Sequence, residues 1–148
     1  MVWYYNGVEF TSKDAQEYIE DGAVGFVYEI NDLVEGKKYI GKKNLISKRR
    51  LPPLKGKKRR RTVIKESDWA TYYGSSESLN EALEKDGPSR FERTILHICY
   101  SKGDMSYLEL YEQVTRDVLF RDDYYNGIIQ VRIHRSHVKG LKDRFLSK

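Results

Sequence analysis

Two tyrosines and an arginine stand at spacings that suit phosphate chemistry. Tyr28 and Tyr39 are separated by ten residues, Gly41 lies two positions after the second, and Arg49 eight positions after the glycine. A tyrosine hydroxyl donates or accepts a hydrogen bond and, once its pKa is lowered, can accept a proton. An arginine is permanently charged and offers a phosphate two parallel N–H groups. A glycine next to such groups lets a backbone or a phosphate come close. Each feature also has an ordinary structural explanation. Tyrosines in strands mostly pack, and Arg49 belongs to a chain rich in solvated cations.

A hairpin is the element that would bring these groups together. Residues 24–30 are β-branched and aromatic, which predicts a strand. Asn31, Asp32, Glu35 and Gly36 supply turn chemistry, and residues 37–41 return as a second strand. Asn44 can cap a short helix reaching Arg50, with Leu45 as its anchor and Arg49 leaning toward the sheet end. Pro52 and Pro53 stop that helix, and residues 51–65 read as an exposed basic loop. Ser76 caps a helix through Lys85, with Leu79, Ala82 and Leu83 inward. Residues 91–100 predict a third strand and residues 106–120 a helix. An edge strand at 128–133 and a helix at 138–146 close the chain. Ahead of the hairpin, Asn6-Gly7 predicts a tight turn within residues 3–10, and Thr11-Ser12 caps a short helix ended by Gly22. The fold expected is an α/β (α+β) sandwich, a small three-stranded antiparallel sheet flanked by helices. One compact domain is expected, with a hairpin–helix extension over 1–22, a core over 23–128 and a C-terminal extension over 129–148.

Charge is distributed unevenly. Residues 36–65 hold 14 Lys and Arg with no Asp or Glu, whereas the rest of the chain holds 13 basic and 22 acidic residues. An otherwise acidic domain with one basic focus suits a polyanion, and nucleic acid is the expected partner. The bland reading of the same run is a solvated loop or a targeting signal. Cys99 is the only cysteine, which excludes a disulfide framework and a cysteine-based zinc site. His134 and His137 lack an acidic or cysteine-rich neighbourhood and read as surface residues; His97 reads as a core or edge residue of a strand. P-loop, GxGxxG and GxSxG patterns are absent. With no apolar run long enough to span a membrane and no signal-peptide pattern at the start, a cytoplasmic protein is expected, in the host-cell cytoplasm if phage-encoded.

The spacing of Phe26-Val27-Tyr28, Tyr39-Ile40-Gly41 and Arg49 resembles the GIY-YIG nuclease superfamily. Tyr73-Gly74-Ser75-Ser76 with its helix, the strand after Gly87, a glutamate in the next helix, and Tyr125-Asn126 extend the likeness over residues 25–126. It is most similar to small phage-encoded homing-type endonucleases. Phe26 departs from the pattern, standing where the family usually keeps a glycine, with Gly25 one position earlier.

The resemblance implies roles. Tyr28 and Tyr39 would line the site and help deprotonate or orient the attacking water, and Arg49 would bind the scissile phosphate. Glu112, preferred over Glu109 three positions earlier, would hold one divalent cation, Mg²⁺ or alternatively Mn²⁺. Asn126 and Gly41 would support the site, with Lys43 or Tyr73 standing in for a family residue absent here. One Mg²⁺ with few protein ligands is consistent with a single carboxylate. Lys42, Lys48, Arg50, Lys55, Lys57, Lys58, Arg59, Arg60 and Arg61 have the composition to contact a DNA backbone. The activity implied is metal-dependent phosphodiester hydrolysis leaving 5′-phosphate and 3′-hydroxyl ends, as a dimer if both strands are cut. The alternative is an inactive nucleic-acid-binding module on the same fold. With no recognition helix or zinc finger in the sequence, specificity is expected from the catalytic domain, from dimerisation or from another protein.

Overall fold

The computed structural model describes residues 2–146. Met1, Ser147 and Lys148, the ends of the two expected extensions, lie outside the described residues. The centre of the fold is a sheet of five strands, ordered β2-β1-β7-β3-β4. These are β1 (Trp3–Tyr5), β2 (Val8–Phe10), β3 (Gly25–Asp32), β4 (Lys38–Asn44) and β7 (Phe91–Cys99). The three-stranded expectation is therefore too small. It captured β3, β4 and β7 and left out the first hairpin. Asn6 and Gly7 take φ of 53° and 78°, the turn that Asn-Gly favours, and β1 then joins the sheet parallel to β7. The physical reason is Trp3. It is fully buried, packs edge-on against Phe26 and Tyr28, and donates from its indole N–H to the Trp69 carbonyl at 2.9 Å.

Helices cover both faces. On one side lie α1 (Ser12–Glu20) and α2 (Glu77–Asp86), whose Ala15 and Leu79 enter a core of Trp3, Phe26, Tyr28, Ile30 and Phe91. Thr11 and Asp14 form a capping box for α1, and Ser76 caps α2 as expected. On the other side lie α3 (Lys102–Thr115) and α4 (Lys139–Leu146), with Met105, Leu108 and Leu141 packed on Val27, Ile40 and Cys99. Helix α3 starts four residues earlier than expected because Ser101 caps it. It ends earlier because Asp117 turns left-handed at φ 54°. Residues 128–133 form no strand.

The expected helix over residues 44–50 is also absent. Its place is taken by β5 (Ile46–Leu51), which pairs antiparallel with β6 (Arg61–Glu66) as a separate two-stranded sheet. The capping signal of Asn44 was local. It lost to pairing with Thr62-Val63-Ile64, a β-branched run that the basic-loop reading overlooked.

Candidate active site

Pairing of β3 with β4 sets Tyr28 directly opposite Gly41 and Ile30 opposite Tyr39, so both tyrosines emerge on one face. Tyr28 lies across Gly41. A Cβ on Gly41 would stand 2.5 Å from the phenol oxygen, so only glycine admits the ring there. Gly74, at φ 90°, closes over the same two rings. The ring centroids of Tyr28 and Tyr39 are 6.2 Å apart, and that of Tyr72 is 6.0 Å from Tyr28. Phe26, in the position of the expected glycine, points into the core beside Trp3 and Tyr28 and so packs the tyrosine from behind.

Strand β4 is an edge of the sheet, and its outward backbone groups are capped in turn. Lys38 exchanges hydrogen bonds with the backbone of Asp123 and Tyr125. Ile40 is held by Asn126, which accepts from its N–H at 2.9 Å and donates to its carbonyl at 2.8 Å; Gln113 donates to the same carbonyl at 3.3 Å. The next outward N–H, that of Lys42, faces the carboxylate of Glu109. This edge is thus wrapped by tyrosines from one side and by α3 from the other.

Two clefts follow the wrapped edge. One, of about 290 Å³, is lined by Tyr39, Ser75, Glu109, Gln113 and Asn126 among others. Within it the hydroxyls of Tyr39 and Ser75 lie 2.9 Å apart. The second, of about 450 Å³, is lined by Lys42, Lys43, Lys102 and Tyr72 among others. Lys43 reaches Asp68 at 2.6 Å and lies 4.2 Å from the centre of the Tyr72 ring. Lys42 donates to Ser106 at 3.0 Å.

The two glutamates of α3 have separate environments. Glu112 has both oxygens engaged, one with His97 at 2.8 Å and the other with Arg116 at 3.0 Å. The His97 hydrogen bond, and then Arg116, hold its carboxyl below the usual range against the effect of burial. A β-bulge between Val27 and Tyr28, where β7 skips Leu96, puts His97 on the α3 face and creates this pair. Glu109 instead lies in the cleft. Burial pushes its carboxyl upward, opposed by the Lys42 ammonium and backbone N–H.

The expected set is therefore only partly assembled. Tyr28, Tyr39, Gly41, Lys43 and Asn126 gather around the β4 edge. Glu112 does not: the preferred glutamate turns toward β7, and Glu109 takes the cleft position. Tyr73 also lies elsewhere, stacked under the Arg93 guanidinium at 4.2 Å and against Phe91; its neighbour Tyr72 stands beside Tyr28. Arg49 is exposed on β5, paired with Val63, and lines neither cleft. The lowered tyrosine pKa that an adjacent Arg49 would produce is absent too. Burial pushes Tyr28 and Tyr39 upward. Sequence reasoning missed Ser75 and Gln113 as cleft residues, and Arg93 as the buried support that donates to the carbonyls of Ala70 and Tyr72. The Tyr-Tyr-Gly-Ser-Ser run hinted at Ser75; Gln113 and Arg93 had no local signal.

Among the described residues no three His, Cys, Asp or Glu gather as a metal cluster. A single hard divalent cation fits Glu109, whose carboxylate faces a cleft with hydroxyl and amide oxygens and water access. Glu112 fits it less well, because both of its oxygens are already engaged by His97 and Arg116 on the β7 side.

Paired strands that offer tyrosines to a cleft, with one carboxylate and flanking lysines, define the kind of site found here on an α+β fold. The chain belongs to the GIY-YIG endonuclease family: the family described as "Putative endonuclease segE, GIY-YIG domain" matches residues 3–129. The chain is 30% identical over 101 residues to "Putative endonuclease segE" of Enterobacteria phage T4, a match covering 68% of this chain. It spans 39% of that relative's length. No solved structure matches the chain. Among the described residues no helix is long and apolar enough to cross a membrane.

Proposed function

We propose that this chain is a divalent-metal-dependent DNA endonuclease of the homing type, hydrolysing phosphodiester bonds to leave 5′-phosphate and 3′-hydroxyl ends. The observation that carries this reading is the Glu109 carboxylate in one cleft with Tyr39, Ser75 and Asn126, beside a second cleft lined by three lysines. Glu109 would hold the cation, Mg²⁺ or Mn²⁺. When bound, the cation supplies positive charge for the phosphoryl and leaving oxygens.

The chain's own residues account for the rest. Lys42, Lys43 and Lys102 attract the phosphate and offset its growing charge. Tyr28 and Tyr39, kept protonated at neutral pH by burial, donate hydrogen bonds rather than take protons. The Tyr39–Ser75 hydroxyl pair orients the attacking water. Asn126 fixes the β4 edge that carries Tyr39. Arg49 contributes from the ribbon as a contact to the DNA backbone.

The test is cleavage of supercoiled plasmid DNA with Mg²⁺. Wild type should nick or linearise it. Glu109→Gln should lose about 10²-fold or more in rate, the scale of removing a group that stabilises transition-state charge. Glu112→Gln should retain most activity at temperatures where it stays folded. An inert wild type that still binds DNA would make the chain a binding module. A fully active Glu109→Gln would remove the carboxylate from the mechanism.

A further inference from the structure

Beyond Ile46, which packs against the core at its root, the hairpin of β5 and β6 projects away from the core. Among the described residues neither strand has a third partner, and β6 is exposed along its whole length. It is anchored only at its root. There the Ser67 N–H donates to the Leu45 carbonyl at 2.8 Å, the Ser67 hydroxyl to the Asn44 carbonyl at 2.5 Å, and the Trp69 indole to Glu66 at 2.7 Å. A two-stranded ribbon on its own is marginal in water, so this one is maintained for what it touches.

Its charge says what that is. Residues 46–65 carry 10 Lys and Arg and no acidic residue. The register puts Arg49, Arg61 and Lys65 on one face and Lys48 and Arg50 on the other; further cations crowd the tip around the Gly56 turn. A ribbon laid against one DNA backbone needs a single cationic face. Cations on both faces and at the tip fit a ribbon with phosphates on both sides. Size agrees. Two strands about 4.8 Å apart with side chains fill roughly 10 Å, which suits the ~12 Å major groove of B-DNA and exceeds the ~6 Å minor groove. Val63 and Ile64 are exposed and unpacked on opposite faces, suited to thymine methyl groups; Ser47 and Thr62 offer hydroxyls. The root adjoins the lysine-lined cleft, because Asn44 and Lys102 line both that cleft and the depression beside Ile46 and Lys48.

We propose that the β5–β6 ribbon enters the major groove of double-stranded DNA and supplies the sequence preference of cleavage. This rests on DNA being the substrate. Of the expected sources of specificity (the catalytic domain, dimerisation or another protein) it selects the first and assigns it to one segment of the core.

The full chain carrying Glu109→Gln is titrated with duplex DNA loaded with methyl green, a major-groove dye, or netropsin, a minor-groove ligand. Methyl green should be displaced, and netropsin should leave affinity within about 2-fold. Lys57→Ser/Lys58→Ser/Arg59→Ser/Arg60→Ser should bind at least about 10-fold more weakly, with a salt slope shallower by about 3 or more. An A-form RNA duplex, whose major groove is too narrow for a ribbon, should bind at least about 10-fold more weakly than DNA. Cut-site mapping with cleaving enzyme should show that Val63→Ala or Ile64→Ala changes the base preference beside the cut. Retained methyl green with netropsin competition, or unaltered affinity in the quadruple variant, would overturn the proposal. So would an unaltered cut-site profile in both apolar variants. The two readings fail separately. Ribbon-dependent major-groove binding without cleavage refutes the nuclease, while cleavage indifferent to the ribbon refutes the groove insertion.

Discussion

Glu109 and Glu112 are three residues apart on α3, close enough to share roughly one helix face yet turned to different strands. Glu109 meets the β4 edge; Glu112 meets His97 of β7 and, through Arg116, Glu29 of β3. Their proton affinities move in opposite directions, and so do their effects on stability. The folded Glu109 holds its proton to higher pH than its ordinary 4.5, so stability falls as pH rises from 4.5 through the raised value. Glu109→Gln removes that penalty and should be at least as stable as wild type at pH 7, by thermal unfolding, while inactive. Glu112 is held below 4.5, so its contribution is present above 4.5 and lost as pH falls through the lowered value. Glu112→Gln should cost about 2 kcal/mol at pH 7, the scale of losing hydrogen bonds to a charged group. A Glu109→Gln variant markedly less stable than wild type would show that its carboxylate is structural.

Strand β4 acts as the rail on which the cleft is built. Its exposed edge would otherwise be a row of unpaired donors and acceptors. Asn126 closes the middle of that row with a paired hydrogen bond to Ile40, next to Tyr39. Asn126→Ala should cost about 1–3 kcal/mol by leaving the buried Ile40 N–H unsatisfied, while Gln113 still serves the carbonyl. Amide exchange at Ile40 and Lys42 should accelerate, read by NMR, and cleavage should fall with it. Unaltered exchange at Ile40 would mean that neighbouring groups hold the edge without Asn126. The hairpin β3–β4 was readable from β-branched and aromatic content and turn residues alone, and the caps of α1 and α2 from their Thr and Ser. The strand identity of β5 was not, because its partner lies beyond a nine-residue basic tip and pairing over that distance leaves no local signal.

Across the whole molecule, distant segments meet at Asp32. Its buried carboxylate accepts two hydrogen bonds from Arg90, at 2.8 and 2.7 Å, and one from the Tyr125 hydroxyl at 2.5 Å. Burial alone would raise its pKa, but Arg90, Tyr125 and the backbone N–H groups of Glu35 and Val34 hold it well below the usual carboxylate range. Its stabilisation is thus complete above its ordinary value of 3.8 and lost as pH falls toward the lowered one. Asp32→Asn should cost about 3 kcal/mol at pH 7, since it leaves Arg90 without its buried counter-charge. The gap to wild type should narrow in strong acid, measured by urea unfolding across pH. A constant gap would assign the loss to packing rather than charge.

By itself the sequence determined what depends on near neighbours and composition. It settled the tyrosine hairpin, the Asn-Gly turn, the caps of α1 and α2, the basic focus and the family pattern that spans them. Those features follow from backbone preference, residue type and counts of charge, which need no knowledge of the rest of the chain. The tertiary structure alone decided which glutamate enters the cleft, why Tyr72 and not Tyr73 stands beside Tyr28, and that Arg49 rides an exposed ribbon. It also decided that Trp3 completes the core. Each of these depends on how a helix is rotated over a sheet or on which strands pair across long sequence distances. A one-residue bulge or one added strand redirects such side chains without altering any local pattern.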